Sequence, residues 1–165
     1  MNTINIILVD DHQIVRDGIK ALLSDSPSIN IMGEAQSAYE FFKILKDKIP
    51  DIVLLDISLP SMSGIEVSKI LSVDFPQIKI LMLSMYTSED FIFNVLKSGI
   101  HGYLPKNTTR DELLIAINEI YNGNEYFSKS ISNTILKSYV NSAKQGNKVS
   151  EDKMSNLTNR EREIL

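Results

Sequence analysis

Short runs rich in isoleucine, valine and leucine recur along the chain, and segments of helical period separate them. A parallel sheet covered on both faces requires that alternation, because its strands are buried on both sides and its crossovers are helices. Five runs read as strands, over residues 4–10, 29–35, 51–57, 78–84 and 101–104. Helix starts are marked by capping boxes, in which a hydroxyl and an acid three residues on satisfy each other's orphan amides. Ser37 with Glu40, Ser63 with Glu66 and Thr109 with Glu112 fit, and Thr87 with Asp90 is a weaker version. Apolar residues follow at helical spacing, as in Ile14, Val15, Ile19, Leu22 and Leu23, or Leu113, Leu114, Ile117 and Ile120. The predicted fold class is α/β, a doubly wound (βα)5 domain with a five-stranded parallel sheet.

Further on, SKSISNTILKSYVNSAK places Ile131, Ile135, Leu136, Tyr139 and Ala143 on one helical face and predicts a linker helix. Its apolar stripe is too narrow for a core helix, so it docks either on the domain or on a partner copy. QGNKVSEDKMSN is polar and without period, as an exposed linker is. In LTNREREIL, Thr158 and Glu161 make another capping box, and Ile164 and Leu165 begin an apolar face that the sequence does not complete. The expected organisation is one domain over 1–124, a linker helix and polar linker over 125–154, and the truncated start of a second domain over 155–165.

With 165 residues, 43% of them hydrophobic, the chain has the material for one domain with a real core and a modest appendage. It contains no cysteine, so thiol nucleophiles, thiolate metal sites and disulfides are excluded, and the chemistry must come from oxygen and nitrogen. The opening MNTINIILVDDH has no basic leader and its apolar run is too short to span a bilayer, so a cytoplasmic protein without a membrane partner is expected. A formal net charge of −4 speaks against this chain wrapping nucleic acid on a basic surface.

Ligands of open parallel sheets bind beyond the carboxyl ends of the strands. There the first strand ends in Asp10 and Asp11, the third in Asp56 and the fourth in Ser84, and the fifth leads into Lys106. Gathered carboxylates raise one another's pKa unless a cation sits among them. Few carboxylates, with positions left for water and phosphoryl oxygen, suit Mg2+ better than Ca2+. Neighbouring residues of a strand point to opposite faces, so one of the adjacent acids need bind the ion directly while the other acts through water. With a cation in place Asp56 can attack phosphorus, since aspartyl phosphates are known covalent intermediates. Lys106 offers a compact positive charge, and Ser84 a hydroxyl, to the phosphoryl oxygens.

Each of these residues also has a purely structural use. Asp10 and Asp11 would cap the first helix, Asp56 would open a turn into SLPSMSG, and Ser84 and Lys106 would be ordinary surface residues. Acid, acid, hydroxyl and lysine at the ends of strands one, three, four and five favour the site over that coincidence. His12, on the opening turn of the first helix, and His101, at the start of the last strand, read as structural. The six Met residues read as core filling.

ILVDDHQIVRDGI, PDIVLLDISLPSMSGIE, ILMLSMY and SGIHGYLPK, in that order, resemble the receiver domain of bacterial two-component response regulators. LTNREREIL resembles, more briefly, the opening of the helix-turn-helix DNA-binding domain of the NarL/FixJ (LuxR-type) subfamily. The resemblance implies a flavodoxin-like strand order of 2-1-3-4-5 and makes Asp56 the phosphoacceptor. It implies that Asp11, Asp56 and the backbone carbonyl of Ser58 ligate Mg2+, that Asp10 joins through water, and that Lys106 holds the phosphoryl group. Ser84 and Tyr103 become the implied switch pair, the hydroxyl moving toward the phosphate as the ring turns inward. Ser58 and Tyr86 resemble positions that tune phosphate lifetime. Where many receivers carry a proline after the lysine, here Pro105 precedes Lys106, so no cis bond after Lys106 is carried over.

The implied function is a receiver that takes a phosphoryl group from a sensor histidine kinase and controls a DNA-binding output, without being a turnover enzyme. Its implied partners are that kinase, a second copy on phosphorylation, and DNA through the output domain alone. An aspartate-nucleophile phosphatase of similar fold is the competing reading, but it wants a general acid two residues after the nucleophile, where Ser58 stands. A flavin-binding protein of this fold would need a first loop rich in Ser, Thr and Gly in place of DDHQ. A receiver-like domain that works without phosphate would leave Asp56 unlabelled.

Overall fold

Strand and helix alternate from Ile4 onward in the computed structural model, which describes residues 2–85 and 89–145. The order is β1 (Ile4–Val9), α1 (Gln13–Leu23), β2 (Ile29–Ala35), α2 (Ala38–Leu45), β3 (Ile52–Asp56) and α3 (Gly64–Asp74). It continues with β4 (Lys79–Ser84), α4 (Glu89–Leu96), β5 (Gly102–Pro105), α5 (Arg110–Tyr121), β6 (Tyr126–Phe127) and α6 (Lys129–Gln145). The expectations placed on Tyr86, on Thr87 as a cap, on the polar linker and on LTNREREIL lie outside the described residues.

All pairings in the sheet are parallel and its order is β2-β1-β3-β4-β5-β6. The sheet therefore has six strands where five were expected; the first five keep the predicted order. β6 is two residues long, too short to carry a period. It exists because β5 has an open edge: Tyr126 N donates to His101 O and Ser128 N to Tyr103 O, each at 3.1 Å.

Alternate residues of each strand feed two cores. Ile7 and Val9, Val53 and Leu55, and Ile80 and Met82 pack with Phe41 of α2, Val67 and Leu71 of α3 and Ile92 and Val95 of α4. Ile6 and Leu8, Ile52 and Leu54, and Leu81 and Leu83 pack with Ile19 and Leu23 of α1 and Leu113, Ile117 and Ile120 of α5. Burying each such side chain contributes about 1.5–3 kcal/mol, so the sheet is anchored on both faces and its rim is free to be polar.

The three described capping boxes form their first half: Ser37, Ser63 and Thr109 each accept a hydrogen bond from the backbone N–H of Glu40, Glu66 and Glu112, at 3.2, 3.3 and 3.2 Å. Glu40 turns its carboxylate to the Gln36 amide at 2.9 Å, one residue before the cap. Ile14, expected on the core stripe of α1, is 85% exposed. The buried face of α1 is Arg16, Ile19 and Leu23, spaced three and four residues apart, which turns Ile14 outward. Of the methionines, Met82 is buried and Met32 and Met62 pack against the core, but Met85 is exposed and fills nothing.

The linker helix α6 docks on its own domain. Ile131 is fully buried in the same core as Ile92 and Val95, with Ile135 packed against it. Leu136 and Tyr139, assigned to the same stripe, are 61% and 67% exposed, because the inward face of α6 runs through Ile131, Ile135 and Ser138, at spacings of four and three residues. Among the described residues no helix is long and apolar enough to cross a membrane.

Candidate functional site

The chain runs from β1 out to β2 and then back to β3 on the other side of β1, so the strand order reverses between β1 and β3. Crevices of doubly wound sheets form at that reversal, and Asp10, Asp11 and Asp56 stand there at the ends of the two strands.

Asp10 and Asp56 are both buried, and each divides its carboxylate between a structural and an electrostatic task. Asp10 Oδ1 accepts the backbone N–H of His12 at 2.9 Å, and Asp56 Oδ1 accepts that of Ser58 at 3.2 Å. The turn-opening use of Asp56 is therefore real, whereas Asp10 does not cap α1: it holds the N–H of His12, which is itself the N-cap residue. The second oxygens of the two acids converge on one cation: Lys106 Nζ lies 2.9 Å from Asp10 Oδ2 and 3.1 Å from Asp56 Oδ2. Asp56 Oδ2 is buried, and the ammonium it faces is shared with Asp10.

Asp11 is exposed, and His12 Nδ1 sits 2.8 Å from its Oδ1 and 3.1 Å from Asp10 Oδ1. His12, read from the sequence as structural, is indeed the N-cap residue of α1, but its ring stands among the acids. Ligand atoms of Asp10, Asp11, His12 and Asp56 all lie within 4.8 Å of one another, so these residues could hold a metal ion. His101, the other histidine read as structural, accepts the Ile80 backbone N–H on Nδ1 at 3.0 Å, away from the acids.

Burial, followed by the charge of Asp10, pushes the Asp56 carboxyl above its ordinary range, and Lys106 and the Ser58 N–H oppose the shift. Burial alone would depress the Lys106 ammonium, but its hydrogen bond with Asp10 and the charge of Asp56 hold it above the usual lysine value. The site thus keeps a charged lysine against a strained carboxylate.

Ser84 closes β4, and Lys106 N donates to its carbonyl at 3.0 Å, which ties the lysine to the strand end beside Asp56. Tyr103 is fully buried in β5, and burial raises its hydroxyl pKa against a hydrogen bond with Ser84. The expected switch pair is therefore in contact, with the ring already inside the core. Gly64 opens α3 directly under Asp56: a Cβ there would stand 2.3 Å from the Asp56 carbonyl oxygen. No cis peptide bond occurs among the described residues.

One residue of the site's surroundings was missed in the sequence. Arg16 is buried, and its guanidinium donates to the backbone carbonyl of Asp10. Its spacing from Ile19 and Leu23, three and seven residues, was the available signal of a charge on the core face of α1.

Residues 6–118 match the response regulator receiver domain family. The chain belongs to that family. Oxygen regulatory protein NreC of Staphylococcus haemolyticus is 31% identical over 161 residues, which cover 97% of this receiver chain and 74% of the relative. A LuxR-family two-component response regulator from Aurantimonas matches in structure with a TM-score of 0.79 at 32% identity, over 84% of this chain and 99% of that one. RcsB from Salmonella enterica serovar Typhimurium, solved bound to a promoter in the presence of the phosphomimetic BeF3−, matches with a TM-score of 0.78 at 26% identity, over 85% of this chain and 70% of that one.

Proposed function

We propose that this receiver accepts a phosphoryl group on Asp56 from a sensor histidine kinase, with Mg2+, and passes the change to a DNA-binding output domain. The observation that carries the reading is the buried Asp56 carboxylate, which faces the Lys106 ammonium at 3.1 Å and stands beside Asp10 and Asp11. An Asp56 oxygen forms the new bond to phosphorus as the bond from phosphorus to the donor nitrogen breaks, and Lys106 Nζ is in reach of the oxygens that arrive. The acceptor is used once per signal, so the receiver is no turnover enzyme. The phosphatase alternative has no support, since the chain matches receivers and Ser58 stands where a general acid is needed.

The donor set fits the ion. Three carboxylates against one ammonium leave two negative charges uncompensated, and the oxygen donors are hard. Asp11, Asp56 and the Ser58 backbone carbonyl would hold Mg2+. Asp10 would reach it through water, as the resemblance to other receivers implies. When bound, the ion neutralises the acids and the phosphoryl oxygens.

Phosphorylation adds close to two negative charges at Asp56. The Ser84 hydroxyl then has two claimants, the phosphoryl oxygens and Tyr103, and the competition biases an existing equilibrium. Swinging it from 1:99 to 99:1 requires a differential of about 5.5 kcal/mol, which charge-assisted contacts and pairing with a second copy would share. RcsB's promoter complex with a phosphomimetic is the precedent for a DNA-binding output. Cytoplasmic placement follows, since the kinase and the DNA meet there.

The test is native mass measurement after incubation with Mg2+ and a small phosphodonor. A single added phosphoryl group, absent in Asp56→Asn and after chelation, is expected, together with a larger dimer fraction. Steady release of many equivalents of phosphate would turn the reading into that of a phosphatase, and label surviving Asp56→Asn would remove that residue from the role.

A further inference from the structure

A closed circuit of side chains joins α1 to β2 beside the acidic loop. Arg16 Nη2 donates to Gln13 Oε1 at 2.5 Å, and Gln13 Nε2 donates to Asp17 Oδ1 at 2.8 Å. Lys20 Nζ lies 3.4 Å from Asp17 Oδ1 and donates to Glu34 Oε2 at 2.9 Å. Glu34 Oε1 closes the circuit by accepting from Arg16 Nε at 3.1 Å. Gln13, Arg16, Asp17 and Lys20 come from α1, and Glu34 from the neighbouring strand β2.

With Nε and Nη2 held in the circuit, Arg16 Nη1 reaches the carbonyl of Asp10. That carbonyl belongs to the peptide unit that joins Asp10 to Asp11. Peptide units are planar, so fixing this oxygen fixes how the plane is rotated and where both acids leave the backbone. The other side of Asp10 is held too, its N–H donating to Ala35 O at 3.0 Å. Arg16 is 8% exposed, so its contacts are shielded from water although the rest of the circuit is partly open.

We propose that Arg16 is a positioning residue for the acidic pair, so that cation affinity at the receiver site depends on a guanidinium that does not touch the cation. The proposal rests on the metal-dependent phosphoacceptor reading above. A lysine cannot replace this residue: one ammonium lacks the rigid fork that serves Gln13, Glu34 and Asp10 together. Glu34 acts a step further out, by holding the fork.

The experiment uses Mn2+ as the probe ion, its free fraction read by electron paramagnetic resonance, on the wild type, Arg16→Lys and Glu34→Gln. Arg16→Lys should weaken Mn2+ binding about 10-fold, as loss of outer-sphere support does. It should raise the Mg2+ concentration for half-maximal labelling by the same factor while the rate at saturating Mg2+ stays within about twofold, which separates lost ion binding from lost chemistry. Glu34→Gln should fall between the two. A folded Arg16→Lys protein with wild-type Mn2+ affinity would overturn the proposal; if that variant does not fold, wild-type affinity in Glu34→Gln would overturn it instead. A wild type that binds no Mn2+ would overturn the phosphoacceptor reading and this one together.

Discussion

Asp56 and Lys106 face each other at 3.1 Å across the end of β4, the carboxylate from the end of β3 and the ammonium from the residue after β5. The same ammonium is 2.9 Å from Asp10, and burial together with the charge of Asp10 raises the Asp56 pKa in spite of the lysine. A site in that condition gains from any group that brings positive charge or consumes the oxygen.

Asp56→Asn should therefore stabilise the ion-free protein at neutral pH. A carboxyl whose folded pKa is raised contributes stability below its unfolded pKa and loses it as pH rises through the folded one, and Asp56 is shifted in that direction. The variant should melt roughly 2–4 °C higher, the shift that about 1 kcal/mol makes in a chain of this size. The gain should shrink as pH falls into the carboxylate range. Mg2+ should raise the wild-type midpoint more than the variant's, which scanning calorimetry with and without the ion measures.

His101 has the opposite sign. Its Nδ1 accepts the Ile80 N–H at 3.0 Å, which only an imidazole unprotonated there can do. Burial, then the charge of Lys79, lowers its pKa below the ordinary 6.5, with Glu125 opposing. Stability from this bond is full above the unfolded pKa and lost as pH falls through the depressed folded one. Urea midpoints should drop on acidification by an amount equivalent to about 1 kcal/mol, the net value of one hydrogen bond. His101→Ala should lose that amount at neutral pH and show a flatter pH profile.

How much of this was legible in the sequence depended on whether a residue's role is local. The five strands with a readable period, and the acids, hydroxyl and lysine at their ends, follow from spacing alone, and the structure brings Asp10, Asp11, Asp56 and Lys106 together. The split use of Asp10 and Asp56, one oxygen in a turn and one toward Lys106, is invisible in the sequence because which oxygen meets which partner is set by the fold. β6 was missed because it is defined by the edge of β5, whose partners lie more than 20 residues earlier in the chain. Arg16 was missed because its acceptor is a backbone carbonyl, which leaves no mark in a side-chain pattern.

Gly64→Ala tests how tightly the helix start is pressed against Asp56. The added Cβ would meet the Asp56 carbonyl oxygen at 2.3 Å and Ile57 Cα at 2.9 Å, both backbone atoms that have no rotamer to yield. A loss of about 1–3 kcal/mol, the range for overpacking, is expected, with slower labelling because the displaced peptide carries Asp56. Gly18→Ala is the control. It has nothing within 4 Å of the new Cβ and lies inside α1, so it should gain roughly 0.5–1 kcal/mol from helix propensity. Equal denaturation midpoints for the two variants would contradict the close approach at Gly64.

The linker helix gives the last prediction, because it follows the short strand paired with β5, which carries Tyr103. Tyr103 pairs with Phe127, and Ser128 N donates to the Tyr103 carbonyl at 3.1 Å immediately before α6 begins. Ile131, in the same core as Tyr103, then fastens the helix. Ile131→Ala should cost about 2–5 kcal/mol, as large-to-small core changes do, and should raise amide hydrogen exchange through α6 and along α4. Leu136→Ala, on the exposed side of the same helix, should stay within about 0.5 kcal/mol of the wild type. If α6 relays the state of Tyr103, phosphodonor should change α6 exchange in Leu136→Ala as in the wild type and leave it unchanged in Ile131→Ala. An unaltered response in Ile131→Ala would cut the helix out of the relay.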